Sequence, residues 1–139
     1  MAYQMQGNIT KNFTLDEMCN KDAKESVKLI LTPESVEHAQ MMQELRDWAE
    51  RALNVSSWHR TPTYNKSCGG ASNSAHLDAR ATDINNIKES EYHDFTIAWQ
   101  TICKAHSKIG GVCYYKWGMH FDSHSDKFGC TTFRVQDYR

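Results

Sequence analysis

The stretch "SNSAHLDARATDI", Ser72 to Ile84, sets a histidine and an aspartate seven residues apart, at His76 and Asp83, amid small and polar residues. Core packing asks for no such pair. Gly69 and Gly70 break the chain just before it, and the stretch reads as loop until "RATDIN" becomes a strand. His76 and Asp83 therefore flank a turn and the start of a strand, a placement that lets both side chains converge on one point. Zinc takes histidine nitrogen and aspartate oxygen, and a catalytic site uses three protein ligands with a fourth position left to water. Spacing alone leaves a chance pairing open.

Working outward, the segments around this turn read as helices and short strands. "NFTLDEMC" begins with Thr14 as N-cap and Glu17 three residues on, the spacing of a capping box. Residues 34–53 form the clearest helix. Val36, Met41, Leu45, Trp48, Ala49 and Ala52 recur at helical steps, and "TPE" supplies a Thr cap and a first-turn Pro. "NVSSWHR" reads as a short strand running into a loop at "TPTYN". "ESEYHDFTIAWQTICKAH" is a second long helix, with Tyr92, Phe95, Ile97, Trp99, Ile102 and Cys103 as its apolar positions. "IGGVCYY" and "GMHFDS" are two strands paired across "KWG". Helices come first and strands cluster around loops without βαβ alternation. The expected class is α+β, with a small, largely antiparallel central sheet flanked by helices.

Composition limits the functions open to such a chain. Its 139 residues suit a single domain spanning 1–139, with 40% apolar and 24% charged residues, as in globular proteins. Net charge is −1 and no dense Lys/Arg run occurs, so nucleic acid is not an expected partner. Apolar runs are only a few residues long, so membrane insertion is not expected either. "MAYQMQGNIT" has no basic region followed by an apolar stretch, and no secretory signal is expected there. Five cysteines, an odd number with no CxxC, read as reduced thiols rather than a disulfide framework.

His38 and His106 lie in predicted helices without metal-ligand spacing and read as solvated or capping residues. His93 with Asp94 reads as an exposed helix pair, and His59 can point either way. His120, in "KWGMHFDSH", is the candidate third ligand. On a strand, His120, Asp122 and His124 share one face. One imidazole there can bind metal while a neighbouring carboxylate activates water or orients a ligand, or the face is a polar, solvent-facing strand edge.

The run "SSWHRTPTYNKSCGGASNSAHLDARATDI" resembles the signature of the M15 peptidases, in particular the D-alanyl-D-alanine carboxypeptidase-like branch common in bacteriophages. That signature is an Arg-Ser/Thr-Pro turn, an Asn, a Gly-Gly, then S-x-H-x-x-G-x-A-x-D-I. Arg60, Thr61, Pro62, Asn65, Gly69, Gly70, Ser74, His76, Ala81, Asp83 and Ile84 supply it in order. "NFTLDEM" resembles the family's start, and "GMHFD" its last histidine strand.

The resemblance implies a small α+β domain holding Zn2+ through His76, Asp83 and His120. It implies that Arg60 contacts the substrate or its developing negative charge, and that Ser74 lies near the substrate or closes a turn. Two positions depart from the pattern. The motif glycine falls on Ala79, a costly change only where the backbone needs positive φ. Several branches carry a carboxylate three residues before the last histidine, where this chain has Trp117. Asp122 is then expected as the general base, with His124 or His59 as substitutes and Trp117 lining the substrate cleft.

The implied activity is hydrolysis of a peptide bond in the peptidoglycan stem peptide, by a monomer that binds and cleaves with one domain. A phage endolysin fits that activity. It accumulates in the host cytoplasm without a signal peptide and then acts on the cell wall. The rival expectation is a catalytically silent zinc-containing module that binds the cell wall or belongs to the virion.

Overall fold

In the segment 111–122, Val112, Tyr114, Met119 and Phe121 alternate with Cys113, Tyr115, His120 and Asp122. Side chains on a strand point alternately to opposite faces, so one face of this hairpin is apolar and the other carries its polar groups. The computed structural model, which describes residues 7–19 and 31–139, builds the rest of the sheet on that pair. Met1 to Gln6, where a secretory signal would begin, lie outside the described residues.

Five strands lie among the described residues: β1 (Val55–Ser57), β2 (Ala81–Ile84), β3 (Gly111–Tyr115), β4 (Gly118–Asp122) and β5 (Arg134–Asp137). Their order is β1-β2-β4-β3-β5, antiparallel except for β3 and β5, which run parallel. The β3–β4 hairpin turns at Lys116 and Trp117, as "KWG" suggested. Gly118 makes that turn possible. Its φ is 152°, and a Cβ there would lie 2.1 Å from the carbonyl oxygen of Ile84.

Helices cover the apolar face. Helix α1 (Leu15–Met18) carries the expected capping box: Thr14 Oγ1 accepts from the Glu17 amide at 3.0 Å, and Glu17 Oε1 accepts from the Thr14 amide at 2.8 Å. Helix α2 (Pro33–Ala49) is capped by Thr32 and Ser35 in the same reciprocal way. It stops four residues before Leu53, because Glu50 turns left-handed at φ 55°. Helix α4 (Tyr92–Ala105) buries Tyr92, Phe95, Thr96, Trp99 and Cys103, a stripe of helical spacing. Helices α2 and α4 pack together, and α4 lies on β3. Thr82, Ile84, Val112, Met119 and Phe121 close the core from the sheet side, all fully buried. The class is α+β with a mostly antiparallel sheet, as the sequence suggested.

Several local expectations are corrected. The loop expected at "TPTYN" is helix α3 (Pro62–Ser67), opened by the same Thr-Pro signal that opens α2, with Thr61 Oγ1 accepting from the Tyr64 amide at 3.2 Å. Trp48 and Ile97, counted among the apolar positions of their helices, are 47% and 50% exposed. His38, read as solvated or capping, is fully buried between Trp58 and Trp99. Its ring reaches Ser123 Oγ at 2.8 Å and Thr82 Oγ1 at 3.0 Å, and burial pushes its pKa down to about 3, so it is a neutral core residue. No disulfide joins any of the five cysteines. No helix among the described residues is long and apolar enough to cross a membrane.

Candidate metal centre

Strand register gathers the chemistry on the face away from the helices. Ser57, Asp83, His120, Cys113 and Gln136 stand opposite one another across β1, β2, β4, β3 and β5, forming one row. Residues directly opposite on a shared face are in contact range, so Asp83 and His120 must meet. His76 comes from outside the sheet. It sits in the 3₁₀ turn Ala75–Asp78, where Ser74 Oγ caps the His76 amide at 3.2 Å. That turn ends at Ala79, whose φ of 55° is left-handed. The position does need positive φ, so alanine there carries a cost of about 1–2 kcal/mol that glycine would avoid.

The three side chains converge. His76 Nε2 lies 3.2 Å and His120 Nδ1 2.9 Å from the same Asp83 oxygen, Oδ1. One donor atom from each of the three falls within 4.8 Å of the others. Each ring is turned toward this point by a contact on its other nitrogen. His76 Nδ1 donates to the Trp58 carbonyl at 2.6 Å, since a carbonyl can only accept. His120 Nε2 lies 3.3 Å from Asp122 Oδ2.

Burial opposes charge on Asp83, but His76 and His120 together hold its carboxyl well below the usual carboxylate range. Burial likewise opposes charge on His120, yet hydrogen bonds to Asp122 and Asp83 raise its pKa to about 9. Two imidazole nitrogens and one carboxylate oxygen, each aimed by its surroundings, form a donor set that fits a divalent cation of zinc's type and leaves room for a further ligand.

Arg60 stands beside this cluster. Its guanidinium reaches Asp83 Oδ2 at 3.3 Å, Ser57 Oγ at 3.1 Å and Asn65 Oδ1 at 3.4 Å. Asn65 is buried and also donates to the Ala71 carbonyl at 2.8 Å, tying helix α3 to the loop before His76. Gly70 packs against Asn65, and a Cβ there would fall 2.0 Å from Asn65 Oδ1, so the Gly-Gly pair belongs to the mounting of Arg60. The cluster opens into a cleft of about 670 Å³. Arg60, Ser74, His76, Asp83, Trp117 and His120 all line it. Trp117, 45% exposed, stacks on Tyr115 at 4.8 Å, and Tyr115 stacks on Tyr138 at 5.2 Å.

Asp122, expected as the base, is not among the residues that line the cleft. It is fully buried, on the far side of the His120 ring from the convergent atoms. Its carboxylate accepts four hydrogen bonds: Oδ2 from His120 Nε2 and Arg134 Nη2, Oδ1 from Ser125 Oγ and the His124 amide. Burial raises its pKa less than these partners, His120 foremost, lower it, leaving it at about 2. Of the substitutes named for the base, His124 is held by Asp126 at 2.8 Å, and neither it nor His59 lines the cleft.

Sequence reading missed Arg134, Gln136 and Tyr138, which close the cleft from β5 and the residue after it. Strand β5 pairs in parallel with β3 across a long gap in sequence, and its alternation is too short to single out. No relative is found among curated proteins. The family model described as Peptidase M15 matches residues 11–122, well over half of the chain and spanning Arg60, His76, Asp83 and His120. The chain belongs to the M15 peptidase family.

Proposed function

We propose that this protein is a zinc peptidase, a single domain over residues 1–139, that hydrolyses a peptide bond in the stem peptide of bacterial peptidoglycan. The reading includes a D-Ala-D-Ala carboxypeptidase- or endopeptidase-like specificity and a role as a phage endolysin. The observation that carries it is the convergence of His76 Nε2, Asp83 Oδ1 and His120 Nδ1 at the floor of an open cleft, with Arg60 alongside, in a chain of the M15 family. His76, Asp83 and His120 would hold the zinc ion. Bound there, zinc supplies Lewis acidity that activates water and polarises a carbonyl.

The chain's own residues do the rest. Arg60 presents a planar, permanently charged fork toward the cleft, suited to a substrate carboxylate or to charge growing on the scissile carbonyl oxygen. Ser74 closes the turn that aims His76 and offers its hydroxyl at the cleft wall. The Trp117–Tyr115–Tyr138 stack supplies a flat apolar wall for the peptide or glycan portion of the substrate. Asp122 acts through His120, fixing the ring so that Nδ1 faces the centre.

A second reading has a specific observation behind it. Among the described residues, Asp83 is the one carboxylate lining the cleft, and Trp117 occupies the place where several branches carry another. A zinc-containing module that binds the cell wall or belongs to the virion, and does not cleave, fits that arrangement.

Hydrolysis of purified peptidoglycan by the zinc-loaded protein, with products identified by mass spectrometry, separates the two. Released peptides establish the peptidase and their masses name the bond. Binding of peptidoglycan without any released product leaves the silent module. Asp122→Asn is expected to weaken zinc binding and turnover together. Lost turnover with unchanged zinc affinity would return the base role to Asp122.

A further inference from the structure

We propose that Arg134 is a positioning residue for the metal centre, acting from outside the family-matched segment by holding Asp122, which in turn holds His120. The inference rests on His120 being a metal ligand. The matched residues end at 122, whereas Arg134 opens β5.

Three features place it in that role. First, the guanidinium is connected to Asp122 by two routes, one direct and one through Ser125. Nη2 donates to Asp122 Oδ2 at 3.0 Å, and Nε donates at 3.2 Å to Ser125 Oγ, which itself donates to Asp122 Oδ1 at 2.7 Å. Arg134 thus governs both oxygens of the carboxylate, one directly and one through Ser125. Second, the guanidinium is itself fixed: it lies over the Phe128 ring, 4.8 Å from the centroid, and Nη1 donates to Gln136 Oε1 at 2.8 Å.

Third, the sheet provides a passage for it. Gly111 of β3 stands opposite Asp122 of β4 on one side and opposite Arg134 of β5 on the other. A Cβ at Gly111 would sit 2.8 Å from Ser125 Oγ and 3.0 Å from Arg134 Cβ. The arginine reaches across a strand position that has no side chain, and meets the carboxylate two strands away.

A carboxylate that can rotate would let the His120 ring rotate with it. Arg134 and Ser125 remove that freedom, so the lone pair of Nδ1 stays aimed at the point where His76 Nε2 and Asp83 Oδ1 meet. Residues that orient metal-binding histidines typically change metal affinity by about 10–100-fold when altered. Arg134 is one bond further out, so an effect of about tenfold is expected.

The experiment is a double-mutant cycle on the full chain, reading the zinc dissociation constant by chelator competition and the visible spectrum of the cobalt-substituted protein. Arg134→Lys keeps a positive charge but loses the fork. It is expected to weaken zinc about tenfold and to shift the cobalt spectrum. With Asp122→Asn already present, the same substitution is expected to change the zinc dissociation constant less than about twofold. Unchanged zinc affinity in Arg134→Lys, or an equal loss in both backgrounds, overturns the proposal. A raised KM with unaltered zinc affinity would overturn it too, by making Arg134 a substrate contact. Should Arg134→Lys not fold, Ser125→Ala removes the relay to Oδ1 and carries the same expectation. The ligand assignment is checked separately: if His120→Ala keeps stoichiometric zinc, that assignment fails, whereas zinc lost there with Arg134→Lys neutral removes only the positioning role.

Discussion

At the scale of single residues, His76 shows how one side chain serves both fold and site. Its Nδ1 satisfies the carbonyl of buried Trp58, and the same hydrogen bond turns Nε2 toward Asp83. His76→Ala should therefore do two things. Zinc measured by elemental analysis should fall from stoichiometric to background. Urea denaturation of the metal-free protein should also show a loss of about 1–3 kcal/mol, because a buried carbonyl loses its donor. Stoichiometric zinc in this variant would remove His76 from the ligand set. Asp122 carries the opposite lesson. Its place two residues after His120 on one strand was legible, but what a carboxylate does there depends on which side of the ring it takes. The structure seals it behind the ring, bonded at both oxygens.

At the scale of elements, helices α2 and α4 are tied by a contact that sequence spacing hid. His106, at the C-terminal cap of α4, lies 2.9 Å from Glu37 and 2.5 Å from Glu44, both on α2, and Lys108 adds a 3.1 Å contact to Glu37. Burial lowers the His106 pKa, but the hydrogen bonds to Glu37 and Glu44 outweigh it and the net shift is upward. A histidine whose folded pKa exceeds its unfolded value adds stability that is fully present below the unfolded pKa and lost as pH rises through the folded one. The stability gap between wild type and His106→Gln should thus be widest just below about 6.5, the ordinary imidazole value, and close as pH rises past the raised folded value. Its size should be on the order of 0.5 kcal/mol, because the glutamates are partly exposed and screened. Denaturation at a series of pH values checks this, and a gap that widened with pH would mean that His106 folds neutral.

At the scale of the whole molecule, the centre joins the turn at 75–78 and strand β2 to strand β4, so a bound ion would tie His76 and Asp83 to His120, 37 residues beyond Asp83 in sequence. Zinc present at about a thousand times its dissociation constant should stabilise the fold by about 4 kcal/mol, or roughly 10 °C in Tm for a chain of this size. Calorimetry with and without a chelator measures it, and an unmoved Tm would mean that these residues hold no metal. The sequence by itself determined what is local. A capping box, a Thr-Pro start and helical spacing marked α1, α2 and α4, alternation marked the β3–β4 hairpin, and the ordered run from Arg60 to Ile84 singled out two of the three ligand candidates and their family. These signals are short-range, since a cap, a periodicity or a motif is complete within a few turns of chain. Only the tertiary structure decided the rest: that His38 lies in the core, that Asp122 faces away from the cleft, and that β5 joins β3 in parallel and sends Arg134 across Gly111. Each of these depends on which distant strands become neighbours and in what register, and side-chain alternation fixes a face without naming the strand that will stand opposite it.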